Sequence, residues 1–103
     1  MYKLIYFVPK DHINAVNSAI FKAGAGKIGN YDKCCFVTPG LGHFRPLEGS
    51  NAFIGEVGEL QEVREFRVEM VCSDHKITDA VIAMKKAHPY ETPAYDVIKL
   101  EDI

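Results

Sequence analysis

Val63-Arg64-Glu65-Phe66-Arg67-Val68-Glu69-Met70-Val71-Cys72 decides how this chain is read. Phe66, Val68, Met70 and Cys72 alternate with Arg67, Glu69 and Val71, the period of a strand with one face in a core. Ser73 or Asp74 can then cap a helix, and Ile77, Ala80, Val81, Met84 and Ala87 form one apolar stripe that stops at His88-Pro89. Ala94 to Leu100 supplies a last short strand. Strand, helix and strand therefore occupy the second half of the chain.

Working back towards the start, Cys34 to Val37 reads as a strand that pairs with 63–72 as an antiparallel hairpin. Ile13, Val16, Ile20 and Ala23 recur at helical spacing from Asp11, and Gly24 follows as a C-terminal stop. Tyr2-Lys3-Leu4-Ile5-Tyr6-Phe7-Val8, nearly all apolar, is a first strand ended by Pro9. The order β-α-β-β-α-β spells an α+β, ferredoxin-like sandwich: a four-stranded antiparallel sheet with two helices on one face, because each crossover is right-handed. Such a sheet would expose an uncovered apolar face, so self-association is expected. Thr38 to Leu60 is left as a long glycine-rich loop containing Pro39 and Pro46, a length usual for segments that bind something or move.

The chain has 103 residues, the size of one domain, 1–103. Twelve Lys and Arg against fourteen Asp and Glu give a net charge of −2. No basic run exists to neutralise a series of phosphates, so nucleic acid is not the expected partner. Mixed charges such as Glu62 to Glu69 read as a solvated strand face. No apolar run approaches the roughly 20 residues of a membrane span, and Met1-Tyr2-Lys3 leads into a strand rather than a signal peptide, so a cytoplasmic location is expected and membrane association is not. Cys34, Cys35 and Cys72 form neither a disulfide framework nor a CxxC pair. Neighbours on a strand point to opposite faces, which argues against a cooperating vicinal pair.

Gly24-Ala25-Gly26-Lys27-Ile28-Gly29 matches the dinucleotide pattern GxGxxG, with Glu48 downstream. Its context does not: these glycines follow a helix and lead into a strand, the reverse of the nucleotide fingerprint, and serve a turn. Within the long loop, Arg45 can pair with an anion and His43 with a metal or phosphate, unless His43 is an ordinary exposed or interface histidine. His88-Pro89-Tyr90-Glu91-Thr92-Pro93 is a proline-constrained turn carrying an imidazole, a phenol and a carboxylate. Those groups either serve a ligand or metal, or cap the helix and make structural hydrogen bonds. No HxxxH, HExxH or DxD accompanies them, and no GxSxG elbow surrounds a serine, so nothing in the sequence marks an enzyme.

Three motifs in fixed order, Gly24-Ala25-Gly26-Lys27-Ile28-Gly29-Asn30-Tyr31, Gly40-Leu41-Gly42-His43-Phe44-Arg45-Pro46 and Ala87-His88-Pro89-Tyr90-Glu91-Thr92-Pro93-Ala94-Tyr95-Asp96, resemble the CutA-like or PII-like insert domain of the NGG-one-interacting-factor-three-like family. Its members are often labelled GTP cyclohydrolase 1 type 2 homologues, and the HPYE-x-P turn also looks like that of CutA. The resemblance implies a module that packs as a homotrimer through sheet edges. Small effectors would sit in clefts between subunits, lined by the long loop, Asn30, Tyr31 and the turn. Candidate ligand residues are Asn30, Tyr31, His43, Arg45, His88, Tyr90 and Glu91, and candidate contacts to a divalent metal are His43, His88 and Glu91. Full-length members carry a dinuclear metal site in a flanking domain, and its ligands have no matching positions here. Arg45 is the one basic residue of the long loop, whereas PII-like nucleotide sites use several. The expected function is an oligomeric binding module. The alternatives are a small metal-dependent hydrolase completed across a subunit interface, or a partner that docks on a separate chain bearing the dinuclear site.

Overall fold

A computed structural model describes residues 1–103. The strands are β1 (Tyr2–Pro9), β2 (Phe36–Phe44), β3 (Gln61–Cys72) and β4 (Tyr95–Lys99); the helices are α1 (Ile13–Lys22) and α2 (Ile77–Ala87). A 3-10 turn, Lys10–His12, joins β1 to α1. The sheet order is β2-β3-β1-β4, with every pair antiparallel, which is the ferredoxin-like arrangement.

Register decides which side chains share a face. Tyr6 lies opposite Val68, Leu4 opposite Met70 and Tyr2 opposite Cys72. This row, with Val8, meets Val16 and Ile20 of α1 and Ile77, Ala80 and Met84 of α2 in the main core. The alternating apolar residues of β1 and β3 thus find the apolar stripes of the two helices. Helix α1 ends with Gly24 N–H on the Phe21 carbonyl (3.0 Å) and Ala25 N–H on that of Ile20 (3.4 Å). That is a Schellman closure, and Ala25 and Ile20 are both buried beside it. Helix α2 stops because His88, which precedes Pro89, is extended (φ −71°, ψ 137°).

Three sequence expectations change. Neither Ser73 nor Asp74 caps α2: Lys76 holds that position, and the Asp74 carboxylate pairs with the chain's N-terminal ammonium. The strand expected over Cys34 to Val37 instead begins at Phe36 and continues through Pro39, Gly40 and Gly42 to Phe44, so the long loop shrinks to residues 45–60. As an edge strand paired on one side only, β2 tolerates the proline and glycines that obscured it. The sheet face away from the helices is also less apolar than expected. Lys3, Arg67, Glu69 and Asp96 share it with Ile5, Phe7 and Val71.

β1 pairs with β3 only from Glu65 onward, so Leu41–Phe44 and Gln61–Arg64 run on as a two-stranded arm. That arm contributes to an elongated shape of 46 × 24 × 24 Å. No helix is long and apolar enough to cross a membrane.

Candidate functional site

At the C-terminal end of β1, five separate segments converge: Phe7 of β1, the Gly42–Phe44 part of β2, the loop with Pro46 and residues 50–54, Glu65 of β3, and the turn after α2. His88 is the hinge of this arrangement. It is 6% exposed. Tyr90 N–H donates to its Nδ1 (3.0 Å), which fixes the tautomer, so Nε2–H donates to the Phe7 carbonyl at 2.6 Å. The ring also lies edge-on to Tyr6 and 5.0 Å from Tyr90. Burial pulls the imidazole below its usual 6.5, in keeping with a neutral ring.

The sign of the resulting pH dependence follows. The unfolded chain holds the His88 proton more tightly than the folded one. Stability is therefore full above 6.5 and falls as pH drops from there towards the lowered native value. The melting midpoint should decrease as pH is lowered below about 6.5, and His88→Gln, which keeps a donor and an acceptor, should lose that part of the slope. Thermal denaturation monitored by circular dichroism checks this. Asp74, held below its usual 3.8 mainly by its hydrogen bond to the N-terminal ammonium, acts in a separate window: its contribution is lost only as pH falls below 3.8.

Next to His88, Tyr90 crosses to β3, and its hydroxyl donates to Glu65 Oε2 at 2.8 Å. Burial first, then this hydrogen bond, push the phenol well above its usual range, so it stays protonated as the donor. Glu65 can lie there because residue 42 has no side chain: a Cβ at Gly42 would sit 1.8 Å from Glu65 Oε1. The loop folds back onto the turn, where Asn51 N–H donates to Glu91 Oε2 at 3.1 Å. Phe53 reaches both the His12 ring (5.4 Å, edge-on) and the Tyr90 ring (6.4 Å), while Phe44 lies 5.9 Å from Tyr90.

These contacts enclose an open cleft of about 420 Å³, within the size range of small-molecule sites. Phe7, Phe44, Phe53 and Tyr90 supply aromatic walls, and Glu65 and Glu91 also line it.

Of the residues singled out in the sequence, His43, Tyr90 and Glu91 line this cleft, and His88 stands behind it. His43 faces Glu62 across the arm (Nε2 to Oε1, 3.0 Å). Arg45 is exposed and lies outside the lining. Asn30 and Tyr31 sit elsewhere, in an exposed turn closed by an Ile28–Tyr31 bridge and tied through Gly26 to Val71, near the other end of β1 and β3. Tyr31 is 74% exposed there.

The metal set proposed from sequence does not come together within the chain. Both ring nitrogens of His88 are used internally, and no three His, Cys, Asp or Glu side chains are grouped to hold an ion. Partial desolvation, then the neighbouring Cys34, push the Cys35 thiol up, which makes it a poorer nucleophile.

Sequence reasoning missed Phe7, Phe44, Phe53 and Glu65. The even charge alternation of β3 made Glu65 look like one more solvated residue, and only the register with Gly42 and the reach of Tyr90 single it out.

No protein-family model matches the sequence. It is 47% identical over 100 residues to a GTP cyclohydrolase 1 type 2 homolog of Halalkalibacterium halodurans, covering 97% of this chain and 27% of that protein. The homolog of that name from Bacillus subtilis is 46% identical over 96% of this chain and 26% of its own length. The chain thus spans about a quarter of the relatives it matches. Among solved structures, a Bacillus cereus protein related to NIF3 superposes with a TM-score of 0.83 at 40% identity, over 98% of this chain and 26% of that one. The periplasmic divalent cation tolerance protein CutA of Archaeoglobus fulgidus gives 0.69 at 19% identity, over 99% and 86% of the two chains. The last likeness is one of fold. The resemblance read from the three motifs therefore holds.

Proposed function

We propose that this chain, which matches one segment of the GTP cyclohydrolase 1 type 2 homologues and has a CutA-like fold, is a self-assembling binding module that forms a homotrimer and holds a small effector in its cleft. The observation that carries the reading is the unpaired outer edge of β2. Phe36 is 69% and Leu41 61% exposed along a strand whose far side has no partner. A long apolar edge strand with free backbone groups attracts another strand, and isolated proteins normally protect such edges. A second copy of the chain supplies that protection, and closing the ring with a third leaves no edge free.

The cleft opens beside the same arm. Gly42, His43 and Phe44 contribute to its lining from the strand that would be docked, so assembly and ligand binding would share one element. The cyclohydrolase label belongs to proteins of which this chain matches about a quarter, and the cleft described here is built entirely from residues of the present chain.

Native mass spectrometry together with sedimentation velocity tests the assembly. The wild-type chain is expected as a trimer, and Leu41→Lys, which places a charge on the exposed edge without touching the core, is expected to sediment as a folded monomer. A wild-type protein that remains monomeric at all accessible concentrations would overturn the reading.

A further inference from the structure

The cleft has a definite electrostatic character. Its charged lining side chains are Glu65 and Glu91; no Lys or Arg lines it, and its one histidine, His43, turns Nε2 to Glu62. Both carboxylates are held in place by a single oxygen: Oε2 of Glu65 by the Tyr90 hydroxyl and Oε2 of Glu91 by the Asn51 N–H. The hydrogen bonds of the chain leave the second oxygen of each uncommitted.

The walls of the cleft are aromatic and mutually inclined. Phe44 meets Tyr90 at 57° and Phe53 meets it at 49°, so the rings form the sides of a box rather than a stack. Ring faces carry negative quadrupole density and attract a cation held over them. A phosphate or carboxylate would meet two like charges and no counter-charge.

From this we infer that the cleft takes a small organic cation: a protonated amine on a flat or apolar body, with the body against Phe44, Phe53 and Tyr90 and the ammonium group directed to Glu65 and Glu91. The inference rests on the reading of the cleft as the ligand site and names the chemical class that the site selects. An ammonium can donate to the free oxygen of either carboxylate while the rings exclude water around it. Because Tyr90 and Asn51 already orient the acceptors, little freedom remains to be lost on binding.

Phenethylamine serves as the probe, with phenethyl alcohol as its neutral counterpart and phenylacetate as the anionic one. In amide chemical-shift titrations of the 103-residue protein, phenethylamine should give saturable shifts confined to Phe7, Gly42–Phe44, Asn51–Phe53 and Tyr90–Glu91. It should bind about tenfold more tightly than the alcohol, and phenylacetate should not bind. Glu65→Gln preserves shape and an acceptor for the Tyr90 hydroxyl, and should weaken the amine by about five- to tenfold without affecting the alcohol. Glu91→Gln provides the same test at the second carboxylate should the first variant fold poorly.

Equal binding of amine and alcohol, tighter binding of phenylacetate, or shifts centred elsewhere would each overturn the inference. Sedimentation of the same samples separates it from the assembly reading. A trimer that does not discriminate for the amine refutes only the cation, whereas a monomer that binds the amine in the cleft refutes only the trimer.

Discussion

Alanine at Gly26 is expected to lower stability by about 3 kcal/mol, and with it the melting midpoint by on the order of 10 °C or more. Gly26 is buried with φ +80°, a left-handed conformation that costs an L-residue about 1–2 kcal/mol. An added Cβ would also lie 2.8 Å from two carbons of the Phe21 ring and 3.1 Å from the Cys34 carbonyl. The backbone has no easy way to rotate out of this clash. Gly26 N–H donates to Val71 (2.8 Å), and its carbonyl accepts from Cys34 N–H (2.8 Å), so the turn is tied to β3 on one side and to the approach of β2 on the other. Overpacking of this kind adds about 1–3 kcal/mol. Gly29→Ala is the control, since Gly29 also has positive φ (+55°) but open space around it; it should cost only about 1 kcal/mol. Urea denaturation of the two variants checks the difference. Equal midpoints would show that the packing against Phe21 does not hold this turn.

The second large effect is expected at His88. The sequence left two readings of His88: a ligand group, whose loss would leave the fold intact, or a structural cap, whose loss would not. The structure predicts a loss of about 2–4 kcal/mol. Truncation removes the donor to the part-buried Phe7 carbonyl and the acceptor for Tyr90 N–H, and it leaves a void against Tyr6. An unsatisfied buried carbonyl costs about 1–3 kcal/mol by itself. Release of Tyr90 would carry further, since Tyr90 positions Glu65 and faces Phe44 and Phe53. Cleft and fold should therefore fail together on heating. A variant with an unchanged melting midpoint and lost amine binding would place His88 in the site instead of the scaffold.

Local pattern made the elements legible. The alternation of 66–72, the stripes Val16–Ile20 and Ile77–Met84, and the helix stop before Pro89 each depend on residues a few positions apart, and each appears in the structure where the pattern put it. The glycines after α1 were also readable as a turn, because they follow a helix and precede a strand. β2 was half legible. Pro39, Gly40 and Gly42 lower strand propensity, and what overrides them is twelve residues of β3 offering a continuous partner.

The candidate site was legible only in part. The HPYE turn and His43 stood out because unusual residue types cluster there, but the role of each depended on partners far away in sequence. His88 spends both nitrogens on the scaffold because Phe7 lies across the sheet end from it, and Glu65 enters the cleft because Tyr90 reaches it and Gly42 makes room. Asn30 and Tyr31 were grouped with the turn by resemblance, and the register of β1 and β3 sets them near the opposite end.

By itself, then, the sequence determined the six elements, their order and the antiparallel sheet they must form, since hydrophobic period and turn chemistry act over short separations. The tertiary structure alone decided which side chains meet at the end of β1, how long the arm grows, and that the cleft carries two carboxylates facing aromatic walls. Alternation sets the face on which Glu65 and Phe7 lie, but which residues of distant segments meet there depends on the folding of residues 45–60 and of the turn after α2, which no local pattern encodes.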